Sequence, residues 1–83
     1  MGIITGKITE KEDLTLGVHI KNKLTIKTEN GIAFVECRGA LKRLSDEFEV
    51  GDEVIIEHGY DGRTSKKSGI KHNNLPAISI RKI

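Results

Sequence analysis

Alternation of apolar and polar residues runs through most of the chain and predicts strands. Residues 3–9 (IITGKIT) alternate and are rich in β-branched side chains, which favours a first strand. Residues 18–26 alternate in the same way and predict a second strand with one face in solvent. The acidic stretch between them, residues 10–13 (EKED), is predicted to break the first strand.

A tight hairpin is predicted where the second strand ends. The dipeptide Asn30-Gly31 favours a two-residue type I′ turn, in which both central residues have positive φ. Counting outward from that turn places Lys23 opposite Arg38. The residues that this register directs into the core are Leu24, Ile26, Val35 and Cys37.

The other face of this predicted hairpin is basic and carries one aromatic ring. It consists of His19, Lys21, Lys23, Thr25 and Lys27 on one strand and Phe34, Glu36 and Arg38 on the next. One interpretation is an ordinary solvated strand surface, in which lysines discourage edge pairing. The other is an anion-binding face, because two cations directly opposite each other repel unless an anion lies between them.

Helical spacing replaces alternation in residues 40–48. Leu41, Leu44 and Phe48 recur on one side of this segment, which predicts a helix of about nine residues that packs on the core. A Gly-Asp turn at Gly51 then leads into a fourth strand over residues 54–59.

The rest of the chain predicts a loop and a last strand. Residues 61–74 are polar and are predicted to form a loop, and residues 75–83 (LPAISIRKI) predict a fifth strand with Pro76 at its start. Five strands with one short α-helix between the third and fourth is the order of the OB-fold. We therefore predict an all-β chain, a five-stranded OB-fold barrel in a single domain spanning residues 1–83.

Residues 35–59 resemble the bacterial and phage single-stranded DNA-binding proteins, the SSB family. The resemblance is carried by CRG, then GALKRLSDEF, then VGDEV, then IIEHG. It implies an OB-fold that binds single-stranded DNA without catalysis, in DNA replication and repair. Members of that family stack bases on aromatic side chains of strands two and three, a role that falls here to Phe34. The guanidinium of Arg38 can also stack on a base. With no tryptophan in the chain, a phage, plasmid or mobile-element variant would fit this reduced form.

A second basic feature lies in the predicted loop between strands four and five. Residues 62–72 (GRTSKKSGIKH) hold five side chains that are or can become cationic, and no acid. They are either a flexible solvated loop or an arm that grips a nucleic-acid strand, since phosphate contacts dominate nucleic-acid affinity. The predicted nucleic-acid-binding residues are His19, Lys21, Lys23, Thr25, Lys27, Phe34, Arg38, Tyr60, Arg63, Lys66, Lys67 and Lys71.

Two of these residues have other interpretations. Phe34 could contact a second copy of the chain, or a different register could bury it. Tyr60 could stack a base or have a purely structural role, because tyrosine combines an apolar ring with a polar tip.

Motifs for catalysis, metal binding and cofactor binding are missing from the sequence. The one cysteine, Cys37, cannot form an internal disulfide and is predicted to be a small core residue. The histidines lack the spacing of metal ligands, and no nucleophile or phosphate-binding glycine motif is present. We expect no enzyme activity, no metal and no cofactor.

Length and composition limit the remaining possibilities. With 83 residues and a net charge of +2, the chain has little room for an enclosed active site, and its charge alone indicates little. No apolar stretch has membrane-spanning length, and we expect a cytoplasmic protein without a membrane partner. The expected partner is single-stranded DNA, with single-stranded RNA or a protein-interaction module as alternatives. We also expect a homo-oligomer, either a dimer or a tetramer.

Overall fold

The computed structural model describes residues 1–83 and contains seven strands and one helix. The elements are β1 (Gly2–Asp13), β2 (Lys21–Thr28), β3 (Gly31–Arg38), α1 (Ala40–Ser45), β4 (Glu53–His58), β5 (Asp61–Thr64), β6 (Lys71–Asn74) and β7 (Ala77–Lys82). Five strands form one antiparallel sheet in the order β3-β2-β1-β4-β7, and β5 and β6 form a separate hairpin. The predicted all-β fold, with a helix between the third and fourth strands, is confirmed.

β1 is longer than predicted and does not break at residues 10–13. Its first half pairs with β4 and its second half with β2. A bulge between Ile8 and Glu10 shifts the register of the β1–β2 pairing by one residue. The bulge lets the acidic stretch continue in the sheet beside β2. Gly6 permits close approach of β2, since a Cβ there would lie 2.4 Å from the backbone oxygen of Lys27.

β2 begins at Lys21 and not at Val18, so the predicted start of the second strand is wrong. Leu16 and His19 instead exchange two backbone hydrogen bonds of 3.0 Å across a tight turn. The hydroxyl of Thr15 accepts a hydrogen bond of 3.2 Å from the backbone N–H of Lys21. These local bonds hold the residue 14–20 connection as a small hairpin and leave Val18 90% exposed at its tip.

The β2–β3 register is shifted by two residues from the predicted one. Lys23 lies opposite Glu36, and Arg38 lies opposite Lys21. The turn is formed by residues 29–30, and only Gly31 has a positive φ, of 136°. The Thr28 hydroxyl explains this, because it accepts a hydrogen bond from the N–H of Asn30 and donates one to the oxygen of Gly31. A shift of two keeps every side chain on its predicted face.

The core is apolar and lies on the inner side of the main sheet. Its buried members are Ile8, Leu24, Ile26, Val35, Cys37, Phe48, Val54, Ile56 and Ile80. α1 covers part of it but has six residues, fewer than the nine predicted. Leu41 packs against the core and Phe48 is buried, as predicted, whereas Leu44 is 37% exposed and Ser45 is buried in its place. Ser45 fits there because the buried amide of Asn22 donates a hydrogen bond of 2.8 Å to its hydroxyl.

The two edges of the main sheet meet near Glu36. The backbone N–H of Glu36 in β3 donates a hydrogen bond of 2.9 Å to the oxygen of Leu75, and Glu36 forms a parallel bridge with Pro76, just before β7. This contact places the segment that leads into β7 beside β3.

Residues 61–74 form a β-hairpin, so the predicted loop is wrong. β5 and β6 pair from Asp61 with Asn74 through to Thr64 with Lys71. At the tip, the N–H of Ser65 donates to the oxygen of Ile70 at 2.8 Å. Neither strand has a buried side chain, and so no hydrophobic alternation marks them in the sequence.

The buried titratable side chains belong to the fold. Cys37 is fully buried, as predicted, and this burial raises the pKa of its thiol to about 11. Nδ1 of the buried His58 lies 3.0 Å from the oxygen of Gly59. No group of three or more His, Cys, Asp or Glu side chains lies together as metal ligands would. No helix has the length and apolar composition needed to cross a bilayer.

Candidate nucleic-acid interface

The outer face of β2 and β3 presents an exposed aromatic ring among uncommitted lysines. Strand alternation turns Lys23, Thr25 and Lys27 outward on β2, and Phe34 lies directly opposite Thr25 on β3. The ring of Phe34 is 56% exposed, and the Lys23 ammonium lies 5.9 Å from its centroid. Neither lysine forms an ion pair. We call Lys23, Thr25, Lys27 and Phe34 the open face.

The same outer surface ends in a group of paired charges around Glu36. Glu36 is only 5% exposed, and its carboxylate forms ion pairs with Lys21, at 3.4 Å, and with Arg38. Arg38 also pairs with Asp61 of β5 at 3.2 Å, and Asp61 pairs with Arg63 at 3.3 Å. We call these five residues the carboxylate cluster.

Opposite charges set the protonation states within the cluster. Burial alone would raise the pKa of Glu36, but the hydrogen bonds and charge of Arg38, together with Lys21, lower it overall. Hydrogen bonds from Arg63 and then Arg38 lower the pKa of Asp61. Hydrogen bonding to Glu36 raises the pKa of Arg38. At neutral pH all of these groups are therefore charged.

A groove of about 560 Å³ lies between the residue 14–20 connection and the carboxylate cluster. Leu16 and Val18 line it and are largely exposed, and the charged side chains of Glu36, Arg38 and Arg63 also line it. His19, a predicted site residue, also lines this groove and lies outside β2. The groove therefore combines exposed apolar side chains with charged side chains of both signs.

The β5–β6 hairpin carries the remaining predicted cations. Lys66 and Lys67 are exposed at its tip, and Lys71 is exposed on β6; none of the three forms an ion pair. Arg63, in contrast, is held beside Asp61. Tyr60 is exposed but meets the ring of His58 edge-on at 5.3 Å, and so one edge of it has a structural contact.

The structure divides most of the predicted residues into three groups. Lys23, Thr25, Lys27 and Phe34 lie together; Lys21, Arg38 and Arg63 lie with two acids; and Lys66, Lys67 and Lys71 lie on the separate hairpin. The like-charge pair predicted between Lys23 and Arg38 does not form, because each faces a different residue.

Several residues of this surface were missed by sequence reasoning. β1 contributes Lys7 opposite Lys27 and Glu12 opposite Lys23. Lys7 lies within the predicted first strand, whereas Glu12 reaches the same face only because the bulge between Ile8 and Glu10 reverses the alternation, which strict alternation does not indicate. Asp61 was missed as a partner of Arg38 because the two residues are 23 positions apart and meet only through the fold. The exposed Val18 had been assigned to the second strand, which begins at Lys21, and the exposed Leu16 had been assigned to no element.

Two solved structures share this fold. The second single-stranded DNA-binding protein (SSBb) of Mycobacterium smegmatis matches with a TM-score of 0.80 and 18% identity over 99% of this chain and 84% of its own. The small single-stranded DNA-binding protein of Streptomyces coelicolor matches with a TM-score of 0.54 and 16% identity over 98% of this chain and 91% of its own. No protein-family model and no curated protein matches the sequence. The structural matches confirm the fold implied by the sequence resemblance.

Proposed function

We propose that the chain binds single-stranded DNA without catalysis and largely without sequence preference. The observation that carries this proposal is the Phe34 ring, 56% exposed on the outer face of β3 and flanked on β2 by two lysines that form no ion pair. An aromatic ring in that setting offers a stacking surface for a base, while the lysines offer contacts to phosphates on either side.

Sequence tolerance follows from the same groups. Every base has a face that can stack, and ammonium groups contact phosphates that are identical along the strand. Lys23, Lys27 and the hairpin lysines Lys66 and Lys67 are the proposed phosphate contacts. Both structural matches carry the name of single-stranded DNA-binding proteins, which supports the proposal at the level of the fold.

The exposed apolar side chains that line the groove favour one alternative, a protein-interaction module. Leu16 and Val18 are exposed on a turn without packing against the core, a property also found in protein-interaction surfaces. We therefore keep a protein-interaction module as the second candidate and a homo-oligomer, either a dimer or a tetramer, as a further prediction. Sedimentation at tens of micromolar protein tests the oligomer, and a pure monomer would refute it.

Titration of fluorescent oligo-dT with the protein at two salt concentrations tests the proposed function. We expect binding at micromolar protein in low salt and weaker binding in high salt, because phosphate contacts release counterions. Oligo-rU of the same length serves as the matched RNA probe. No binding of either strand in low salt, combined with self-association, would support the protein-interaction module.

A further inference from the structure

One edge of the Arg38 guanidinium is fully occupied in the free protein. Nε donates a hydrogen bond of 3.0 Å to Oε2 of Glu36, and Nη2 donates to the same oxygen and, at 3.2 Å, to Oδ2 of Asp61. A phosphate approaching this edge would have to displace two carboxylates. No aromatic ring of the chain stacks on the planar faces of the group, and the Arg38 side chain is 42% exposed.

Glu36 is a fixed support for this arrangement. It is 5% exposed, its backbone N–H is bonded to the oxygen of Leu75, and Lys21 holds its other carboxylate oxygen at 3.4 Å. Because the backbone of Glu36 and both of its carboxylate oxygens have partners, the carboxylate holds the Arg38 guanidinium in one orientation. An arginine on an open surface would instead have to be ordered when a ligand binds, at a cost in side-chain entropy.

The held group lies where a bound strand would meet it. The Arg38 side chain is 42% exposed and points to the same side of β3 as Phe34, four residues earlier. That spacing corresponds to about 13 Å along the strand. A planar cation at such a position can accept a base on its face, as arginine does in single-strand binding sites.

We propose that Glu36 and Asp61 are positioning residues that hold the Arg38 guanidinium as a flat stacking surface for a base. The inference rests on the proposed function and assigns these two acids a favourable role within a DNA-binding surface. Simple electrostatics would give them the opposite role, because a carboxylate repels a phosphate.

The test compares two strands with the same phosphates: oligo-dT and an abasic strand of equal length. The ratio of their affinities reports contacts to bases, because an electrostatic change affects both strands alike. Arg38→Lys keeps the charge and loses the plane, so this ratio should fall about three- to tenfold. Asp61→Asn should lower it about twofold, since a neutral amide oxygen holds the guanidinium less strongly than a carboxylate does. Arg38→Tyr should keep the ratio close to wild type, because an aromatic ring also stacks.

Controls separate the possible failures. Glu47→Gln removes an exposed acid that forms no ion pair and should leave the ratio unchanged. Thermal melting checks each fold, and if Arg38→Tyr does not fold, Arg38→Lys and Asp61→Asn still decide. With wild-type binding intact, an unchanged ratio in Asp61→Asn overturns the positioning role of the acids, and an unchanged ratio in Arg38→Lys overturns the stacking surface itself. A wild type that binds neither strand overturns the proposed function and the inference with it.

Discussion

The open face and the carboxylate cluster lie on the same outer surface of β2 and β3, and they hold their cations differently. Lys23 and Lys27 have no acidic partner, whereas Lys21 and Arg38 are paired with a buried glutamate. Formal charge therefore overstates how many cations can meet a phosphate. We propose a division of roles, in which the open face supplies phosphate contacts and one ring, and the cluster supplies a fixed planar group.

Removing the Phe34 ring should have the largest effect on the affinity for single-stranded DNA. Phe34→Ala is expected to lower the affinity for oligo-dT by roughly 1 to 3 kcal/mol, because it deletes the exposed stacking surface. The melting temperature should stay near wild type, since an outward ring leaves no core cavity. Phe48→Ala provides the contrast, because that ring is buried and its removal should destabilise the fold. A drop in melting temperature with unchanged affinity for Phe34→Ala would instead assign Phe34 to packing.

The buried Glu36 allows the carboxylate cluster to be tested by its contribution to the free energy of unfolding. Glu36→Gln should lower the free energy of unfolding by about 1.5 to 3 kcal/mol, since it removes hydrogen bonds to a charged group. The native pKa of Glu36 is lowered below its usual 4.5. Its stabilising contribution is therefore complete above pH 4.5 and is lost as the pH falls through the native value.

Urea denaturation of wild type and Glu36→Gln across this pH range gives the measurement. The difference between the two should be constant near neutrality and shrink below pH 4.5. Glu47→Gln, which removes an unpaired exposed acid, should stay close to wild type throughout. A constant difference at all pH values would show that the Glu36 charge adds nothing to stability.

The hairpin lysines extend the comparison to a second surface. The Lys66→Gln/Lys67→Gln double variant should flatten the dependence of log affinity on log salt by roughly 0.7 for each phosphate that the removed ammonium groups neutralise. Both lysines are exposed and unpaired, so the fold should be unaffected. A parental slope in this variant would separate the hairpin from the binding surface.

Cys37 tests which side chains of β3 point into the core, and the effect expected there is the smallest. Cys37 lies between Glu36 and Arg38 in β3 but points into the core, where its pKa is raised to about 11. Native protein at neutral pH should therefore react only slowly with a thiol reagent, and unfolded protein should react fast. Rapid labelling of the native protein would mean that β3 has slipped by one residue and that its two faces are exchanged.

Strand faces could be predicted from the sequence, whereas contacts between distant segments could not. The hairpin register was wrong by two residues, yet Phe34 still lies outward and Cys37 inward because a two-residue shift preserves alternation. The Thr28 hydroxyl that sets the turn carries no pattern of its own.

The contacts of the two acids in the carboxylate cluster could not be predicted from the sequence, for a similar reason. Asp61 reaches Arg38 only because β5 folds back beside β3, and the burial of Glu36 depends on the segment around Leu75. Neither contact follows from local periodicity. Sequence reasoning therefore found the cations of the surface and placed Glu36 on the same face, but it missed Asp61 and the ion pairs that both acids form with Arg38.

The difference between the open face and the carboxylate cluster can be measured directly. The measurement compares how a double variant in each changes the dependence of oligo-dT affinity on salt. Lys23→Gln/Lys27→Gln should flatten the slope by roughly 1.4, the value expected when two phosphates are no longer neutralised. Arg38→Gln/Arg63→Gln removes the same formal charge, leaves Lys21 beside Glu36, and should change the slope by less than about 0.5 while lowering affinity. Equal flattening in both double variants would contradict the account, because the paired arginines would then contact phosphates as the free lysines do.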